Sequence, residues 1–162
     1  MEAVSTIGRS RENNGNGKLT YTTSNKAVAT VDAAGKVTVK GPGVAKITVK
    51  AAATTDYKAA SKTVTVTVAP KKQSISLINK IKKQLTIKWK KNTKASGYQV
   101  VYSTNKKFTG KKTVRKAKTT TSYKVKGLKK GKKYYVKVRS YKTVNGKRIY
   151  GAYSTAKKAT IK

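Results

Sequence analysis

Residues 133–150 read KYYVKVRSYKTVNGKRIY, an alternation of apolar and polar positions followed by a turn dipeptide. Tyr134, Val136 and Val138 recur at every second position, which is the period of a β-strand with one buried face. Asn145-Gly146 then predicts a tight hairpin, because both residues tolerate a positive φ angle. The stretch therefore predicts two antiparallel strands, the first with Tyr134 on its buried face.

The same alternation recurs along the chain in short segments that are separated by turn residues. The rows are Leu19 and Tyr21; Val37 and Val39; Ile47 and Val49; Val64, Val66 and Val68; Leu85, Ile87 and Trp89; and Tyr98, Val100 and Tyr102. β-Branched and aromatic residues favour strands, and short period-2 segments punctuated by turns are typical of β-sandwiches. The sequence predicts an all-β fold with two tandem sandwiches.

Positive charge dominates the composition. The 162 residues include 40 Lys and Arg against 4 Asp and Glu, a formal net charge of +36. Eight of the 40 cations precede Asp56, which leaves 32 cations and no acidic side chain in residues 57–162. A surface of this kind repels itself and attracts polyanions.

The residues that usually carry catalysis are scarce. The chain has no His and no Cys, and its four acids are scattered at Glu2, Glu12, Asp32 and Asp56. General acid–base catalysis needs a group that titrates near the working pH, and metal sites need grouped His, Cys or carboxylate ligands. We therefore expect no enzyme activity, no metal site and no cofactor.

The N-terminal part of the chain resembles the bacterial immunoglobulin-like domain group 2. The resemblance lies in the order and spacing of four stretches: Ser24-Asn25, Val28-Ala29-Thr30-Val31-Asp32, Gly35-Lys36-Val37-Thr38-Val39 and Gly43-Val44-Ala45-Lys46-Ile47-Thr48-Val49. It covers about residues 18–69. One or two further strands normally precede this stretch in the family, so the resemblance implies an incomplete domain.

Residues 1–17 are polar and rich in Gly and Asn, and they are predicted to be disordered or vestigial. They contain no basic stretch followed by an apolar run, so we expect no signal peptide. No apolar stretch is long enough to span a bilayer. The missing strands leave an edge in residues 18–69, and unpaired edges invite an edge-strand dimer.

After a short linker at residues 70–72, residues 73–162 resemble a fibronectin type III domain. Trp89 matches the family's core tryptophan, and Gly97-Tyr98-Gln99-Val100-Val101-Tyr102 matches its third strand. Leu128-Lys129-Lys130-Gly131-Lys132-Lys133-Tyr134 matches the turn in which Tyr134 would form a tyrosine corner. Gly151-Ala152-Tyr153-Ser154 resembles the start of the last strand.

The fibronectin type III resemblance implies a set of core residues and a location. The residues expected in the core are Trp89, Tyr98, Tyr102, Leu128 and Tyr134. Trp89, Tyr98 and Tyr102 share strand parity with the apolar rows, which favours core packing over a ligand cage. The pairing of the two domain types implies a secreted, cell-wall or cell-surface protein of a Gram-positive bacterium.

Two groups of residues are candidates for binding. A polyanion or glycan face is predicted on the outward side of the strand, with Lys133, Tyr135, Lys137, Arg139 and Tyr141. Aromatic faces can stack on sugars, while Lys and Arg hold phosphate or sulfate; ordinary cross-strand packing is the alternative. A recognition loop is the second candidate, with Asn145, Gly146, Lys147 and Arg148, and a plain hairpin is its alternative.

These features favour a non-catalytic spacer and adhesion module that binds an anionic polymer weakly, such as teichoic acid or a sulfated glycan. A second hypothesis is a secreted fibronectin type III signalling ligand, such as irisin, that engages a host surface protein. A third is a non-specific nucleic-acid binder. Lys outnumbers Arg seven to one, and Arg is preferred for reading bases, so sequence-specific nucleic-acid recognition is not expected.

Overall fold

The computed structural model describes the backbone of residues 4–6 and all of residues 17–162. The chain divides into two compact units, Met1–Val68 and Ala69–Lys162. In the described residues every regular element is a β-strand, which confirms the predicted all-β class. No helix among these residues could cross a membrane.

In its described residues, the first unit contains two three-stranded antiparallel sheets. Their orders are β1-β4-β3 and β2-β5-β6. The strands are β1 Val4–Thr6, β2 Leu19–Thr23, β3 Ala29–Val31, β4 Lys36–Val39, β5 Gly43–Ala51 and β6 Ala60–Val68. The buried side chains between them are Val28, Ala29, Val37, Ala45 and Ile47.

Asp32 fixes the turn that joins β3 to β4. Its Oδ1 accepts hydrogen bonds from the N–H groups of Ala34 (3.0 Å) and Lys36 (2.9 Å). Gly35 closes the turn with a φ of 79°, and the Tyr21 ring packs on the space that a Cβ would fill.

The segment 1–17, for which the sequence predicted no strand, contains β1. Its three residues pair with β4, from Val4 opposite Thr38 to Thr6 opposite Lys36. The rest of the predicted disordered or vestigial segment lies outside the described residues, except for Gly17. At the other sheet, β6 is the end strand of β2-β5-β6 in the part of the chain that the structure describes.

The second unit contains eight strands in two antiparallel sheets. One has the order β11-β8-β7; in the other, β10-β9-β12 is extended by β13 and β14, which both pair with β12. The strands are β7 Ile75–Ile78, β8 Leu85–Trp89, β9 Gly97–Ser103, β10 Lys112–Ala117, β11 Ser122–Val125, β12 Lys133–Val144, β13 Lys147–Tyr150 and β14 Lys157–Thr160.

The core of the second unit lies between its two sheets. Trp89 and Tyr98 contact each other with ring centroids 5.4 Å apart, and both are buried together with Tyr102 and Leu128. Tyr134 is half-buried against this cluster. The N–H of Lys129 lies 3.5 Å from the Tyr134 hydroxyl, which is the contact a tyrosine corner makes with the backbone upstream.

The turn at Asn145-Gly146 confirms the predicted hairpin. Val144 pairs directly with Lys147, and the two residues between them have φ angles of 48° and 73°. Two central residues with positive φ define the turn type that suits the twist of adjoining strands.

The last strand begins later than the sequence predicted. β14 starts at Lys157, and residues 151–156 are irregular. The segment nevertheless follows β12: Gly151 N–H donates to Ser140 O at 2.9 Å, and Ser154 N–H donates to Val138 O at 2.7 Å. The buried Ser154 hydroxyl also accepts the N–H of Val138 at 3.1 Å. Because a side chain takes one backbone donor, no regular ladder forms there.

Candidate anion-binding face

The β10-β9-β12-β13 sheet has an inner face toward the core and an opposite face, called here the outer face. Val136 and Val138 of β12 are fully buried on the inner side. Side chains alternate along a strand, so Tyr135, Lys137, Arg139 and Tyr141 lie on the outer face. Four of the five predicted face residues are thus brought together here, and Lys133 continues the row at the beginning of β12, opposite Thr160.

The outer face is covered by a second layer of side chains. Gln99, Val101 and Ser103 point to this side of β9, yet their exposed fractions are only 8%, 0% and 5%. Directly opposite them on β12 are Arg139, Lys137 and Tyr135. Long side chains lying across the sheet therefore exclude water from the middle of this face.

Lys137 lies between two aromatic rings. Its ammonium nitrogen is 4.1 Å from the centroid of Phe108 and 4.4 Å from that of Tyr153. A cation over an aromatic face is attracted by the negative face of the ring. Lys137 is thus a packed residue, although the sequence predicted an exposed cation.

Arg139, the next residue of β12 on the outer face, also lies against two aromatic rings. Its guanidinium carbon is 3.8 Å from the Tyr150 centroid and 4.3 Å from the Tyr153 centroid. Rings and cations therefore alternate across the sheet. We call this arrangement the cation–aromatic ladder, with the members Phe108, Lys137, Tyr153, Arg139 and Tyr150.

The ladder extends toward the hairpin. Tyr141 contacts Tyr150 edge-on, with centroids 5.7 Å apart, and the guanidinium of Arg148 lies 5.5 Å from the Tyr141 centroid. Arg148 belongs to the predicted recognition loop. The structure thereby joins one residue of that loop to the predicted face, while Asn145 and Gly146 form the exposed turn beside it.

A buried amide lies beneath the ladder. Gln99 Oε1 accepts hydrogen bonds from Arg139 Nε at 2.6 Å and from the Tyr153 hydroxyl at 3.0 Å. A charged donor and a hydroxyl thus converge on one oxygen. These bonds hold the guanidinium plane and the Tyr153 ring in register with the sheet.

Phe108 reaches the ladder from the loop between β9 and β10. Its φ angle is 61°, which is uncommon for a bulky residue, yet the side chain is buried. The loop is fixed by bonds from Phe108 N–H to Asn105 O (3.0 Å) and from Ser103 Oγ to Thr109 O (2.8 Å). The positive φ directs the ring back over Lys137.

The arginines of the described residues are all on the outer face. Arg115 on β10 lies opposite Gln99, which lies opposite Arg139 on β12. Arg148 on β13 lies opposite Thr143, which has the same strand parity as Arg139. Lysines, in contrast, are spread over strands and loops of both units.

Sequence reasoning missed five residues of this face: Gln99, Phe108, Arg115, Tyr150 and Tyr153. Phe108 and Tyr153 are in loops, where no period predicts the direction of a side chain. Arg115 and Gln99 could be assigned to the same face only once the pairing of β10 with β9 was known. The available signal was Gln99, a polar residue in the apolar segment 97–102.

Other parts of the described chain contain fewer features of a binding site. No group of three His, Cys, Asp or Glu residues could hold a metal ion there. An open cleft of about 440 Å³ lies beside the start of β7. It is lined by Lys72, Gln73, Ser74, Ile75, Ser154, Thr155 and Lys157.

Comparison with protein families finds two domains in the predicted order. An intimin-type immunoglobulin-like domain matches residues 9–54, and a fibronectin type III domain matches residues 68–155. This confirms an immunoglobulin-like domain followed by a fibronectin type III domain, although the first match is of the intimin type and begins earlier than the predicted residue 18. Domains of these kinds are typical of extracellular or surface proteins and are typically non-enzymatic.

Two solved structures are similar to part of the chain. The chain is similar to the sixth fibronectin type III domain of human fibronectin type III domain containing protein 3, with 14% identity over 59% of this chain and 88% of that one, and a TM-score of 0.48. It is also similar to a computationally redesigned β-sandwich protein, with 14% identity over 56% and 93% of the two chains and a TM-score of 0.45. No curated protein matches the chain.

Proposed function

This chain belongs to the fibronectin type III family, and we propose that it is a spacer and adhesion module whose outer face binds anionic polymers. The polymers that suit it are teichoic acids and sulfated glycans of a cell wall or host surface. The module works without catalysis, and its location is extracellular or on the cell surface.

The observation that carries this proposal is the grouping of Arg115, Arg139 and Arg148 on one sheet face. Arg presents a planar fork of donors that matches sulfate and phosphate oxygens, whereas Lys acts as a point charge. Lys supplies 35 of the 40 cations, so a grouping of the rarer cation marks a place where the geometry of the donor matters.

The cation–aromatic ladder supports the same proposal. Binding normally costs conformational entropy, because long cationic side chains lose rotamers when they hold a ligand. Arg139 is already stacked between two rings and bonded to Gln99. Its loss of freedom on binding is therefore smaller than that of an exposed Lys.

The test replaces arginine without changing charge. The variant Arg115→Lys/Arg148→Lys keeps the net charge of +36, so purely diffuse attraction would be unaffected. We expect this variant to bind a sulfated oligosaccharide or poly(glycerol phosphate) several-fold more weakly than the unmodified chain at 0.15 M salt. Isothermal calorimetry on the full chain measures the difference.

A control removes charge from the opposite sheet. Lys124→Gln/Lys126→Gln deletes two exposed cations of the same unit and is expected to weaken binding less than the arginine variant. If the affinities of the arginine variant and of the lysine variant simply follow their net charges, the outer face is not a specific anion-binding site. Saturable binding to a single host receptor that resists salt would instead favour the signalling-ligand hypothesis.

A further inference from the structure

We infer that Arg115, Gln99 and Arg139 form a subsite for one oxyanion group with three terminal oxygens, such as a sulfate ester or a phosphate monoester. The inference rests on the proposed function and adds the chemical group that the face recognises. The three residues lie side by side on β10, β9 and β12, in direct register.

The register brings the side chains within reach of one small ligand. Residues directly opposite each other in antiparallel strands have Cβ atoms about 4.5–5.5 Å apart. Gln99 is the central residue, and it is 8% exposed. Arg115 is exposed beside it, so its guanidinium can swing over the amide.

The orientation of the Gln99 amide follows from its partners. Arg139 Nε can only donate, so the atom that it contacts must be the amide oxygen. Both side-chain hydrogen bonds of Gln99 in the described part of the chain use this oxygen. The NH2 group is therefore left as a donor, and it faces away from Arg139 Nε.

Arg139 keeps donors of its own. Its Nε donates to Gln99 Oε1, and the rings of Tyr150 and Tyr153 lie against the guanidinium. The terminal NH2 groups lie at the edge of the plane, where a ligand oxygen can approach them. Arg115, the Gln99 amide and Arg139 thus offer three separate donor groups from residues that are directly paired on neighbouring strands.

Three donor groups match three acceptor oxygens. A sulfate ester or a phosphate monoester has three terminal oxygens, while a phosphodiester and a carboxylate have two. The ladder rings already have cations of this chain on them, so sugar rings have few aromatic faces to stack on. The subsite therefore recognises the anionic group and is indifferent to the polymer that carries it.

The experiment compares three polymers of similar length and charge with the full chain at 0.15 M salt. They are a dextran oligosaccharide with sulfate esters, the same oligosaccharide with phosphate monoesters, and poly(glycerol phosphate), which has only phosphodiesters. We expect the two monoester ligands to bind more tightly than the diester. Equal affinity for all three would overturn the three-oxygen preference.

Gln99→Glu is the decisive variant. A carboxylate can still accept from Arg139 and Tyr153, but it has no donor for the ligand. Loss of a hydrogen bond to a charged group corresponds to about a tenfold or greater loss of affinity for the monoester ligands. Gln84→Glu makes the same charge change before β8 and is expected to bind like the unmodified chain.

Arg115→Lys tests the subsite at an exposed position where folding is not affected. It keeps the charge and removes the guanidinium fork, and we expect a several-fold loss for the monoester ligands that is larger than the loss for the diester. If Gln99→Glu and Arg115→Lys both bind like the unmodified chain, the subsite is wrong while adhesion by the face can still hold. If the unmodified chain binds none of the polymers, the proposed function itself fails.

Discussion

The guanidinium carbon of Arg139 lies 3.8 Å from the centroid of the Tyr150 ring. This contact joins β12 to the end of β13, and the Tyr153 centroid lies 4.3 Å from the same carbon. A charged side chain thus packs among aromatic rings on the outer face. These contacts stabilise the sheet and order the Arg139 side chain.

The Arg139–Tyr150 contact is expected to contribute measurably to stability. In a double-mutant cycle with Arg139→Met and Tyr150→Leu, we expect a coupling free energy of about 0.5–2 kcal/mol, because the pair is partly shielded from water. Urea unfolding of the four proteins gives this value. The looser Arg148–Tyr141 pair, at 5.5 Å, is the control and should show a smaller coupling. A coupling of zero for Arg139 and Tyr150 would contradict the ladder's structural role.

Gly97 is required where Tyr141 crosses β9. A Cβ at this position would lie 2.5 Å from the Tyr141 hydroxyl and 2.6 Å from the carbonyl oxygen of Lys116. We expect Gly97→Ala to lower the free energy of unfolding by about 1–3 kcal/mol, since overpacking forces neighbours to move. Adding Tyr141→Leu should recover only part of this loss, because the clash with the backbone remains. Denaturant unfolding that leaves Gly97→Ala unchanged would refute the expectation.

The fold could be predicted because its signals are local. Val136 and Val138 face the core because side chains alternate between the two faces of a strand. The hairpin turn is likewise specified by two neighbouring residues, Asn145 and Gly146. Edge strands were harder. β10 contains only one large apolar residue, Val114, among mostly exposed and basic ones, so its sequence does not differ from a basic loop.

The candidate site could be predicted only in part. Parity along β12 correctly assigned Lys137 and Arg139 to one face, but the sequence could not tell that both are stacked between rings. Two of the three rings come from Phe108 and Tyr153, in loops whose positions depend on long-range pairing. Contacts between residues far apart in the sequence, such as Phe108 and Lys137, are set by sheet register and have no local signature.

Tyr102 predicts how stability depends on alkaline pH. Burial raises the pKa of its hydroxyl above the ordinary value of 10.0, and the nearby Tyr123 and Tyr134 raise it further. The folded chain therefore holds this proton more tightly than the unfolded chain, so stability is full below pH about 10 and falls as the pH rises above it. A matched variant separates the contribution of Tyr102 from that of the rest of the chain.

Tyr102→Phe isolates the tyrosine, because the rest of the chain is identical in the two proteins. The difference in free energy of unfolding between the two proteins should be constant from pH 8 to 10. Above pH 10 it should shift in favour of the Phe variant. A difference that stays constant up to pH 11 would show that the Tyr102 proton is not linked to folding.

Salt is expected to stabilise the chain, because residues 57–162 carry 32 cations and no acidic side chain. Folding brings these charges closer than they are in the open chain, which destabilises the compact state. The Debye length falls from about 30 Å at 0.01 M to about 8 Å at 0.15 M salt, so added NaCl screens the repulsion. A stabilisation of about 1 kcal/mol would raise the melting temperature of a domain of this size by about 4–8 °C.

The melting temperature, measured by calorimetry between 0.01 M and 0.15 M NaCl, tests this expectation. Replacing Lys126, Lys129 and Lys130 by Gln removes three exposed neighbouring cations and should reduce the rise. A polyanion at low salt should raise the melting temperature further, since a ligand that prefers the folded state stabilises it by mass action. A melting temperature that stays flat or falls over this range would mean that the cations are far enough apart not to interact. Diffuse charge would then no longer explain attraction to polymers, and any binding would have to come from the arginines of the outer face.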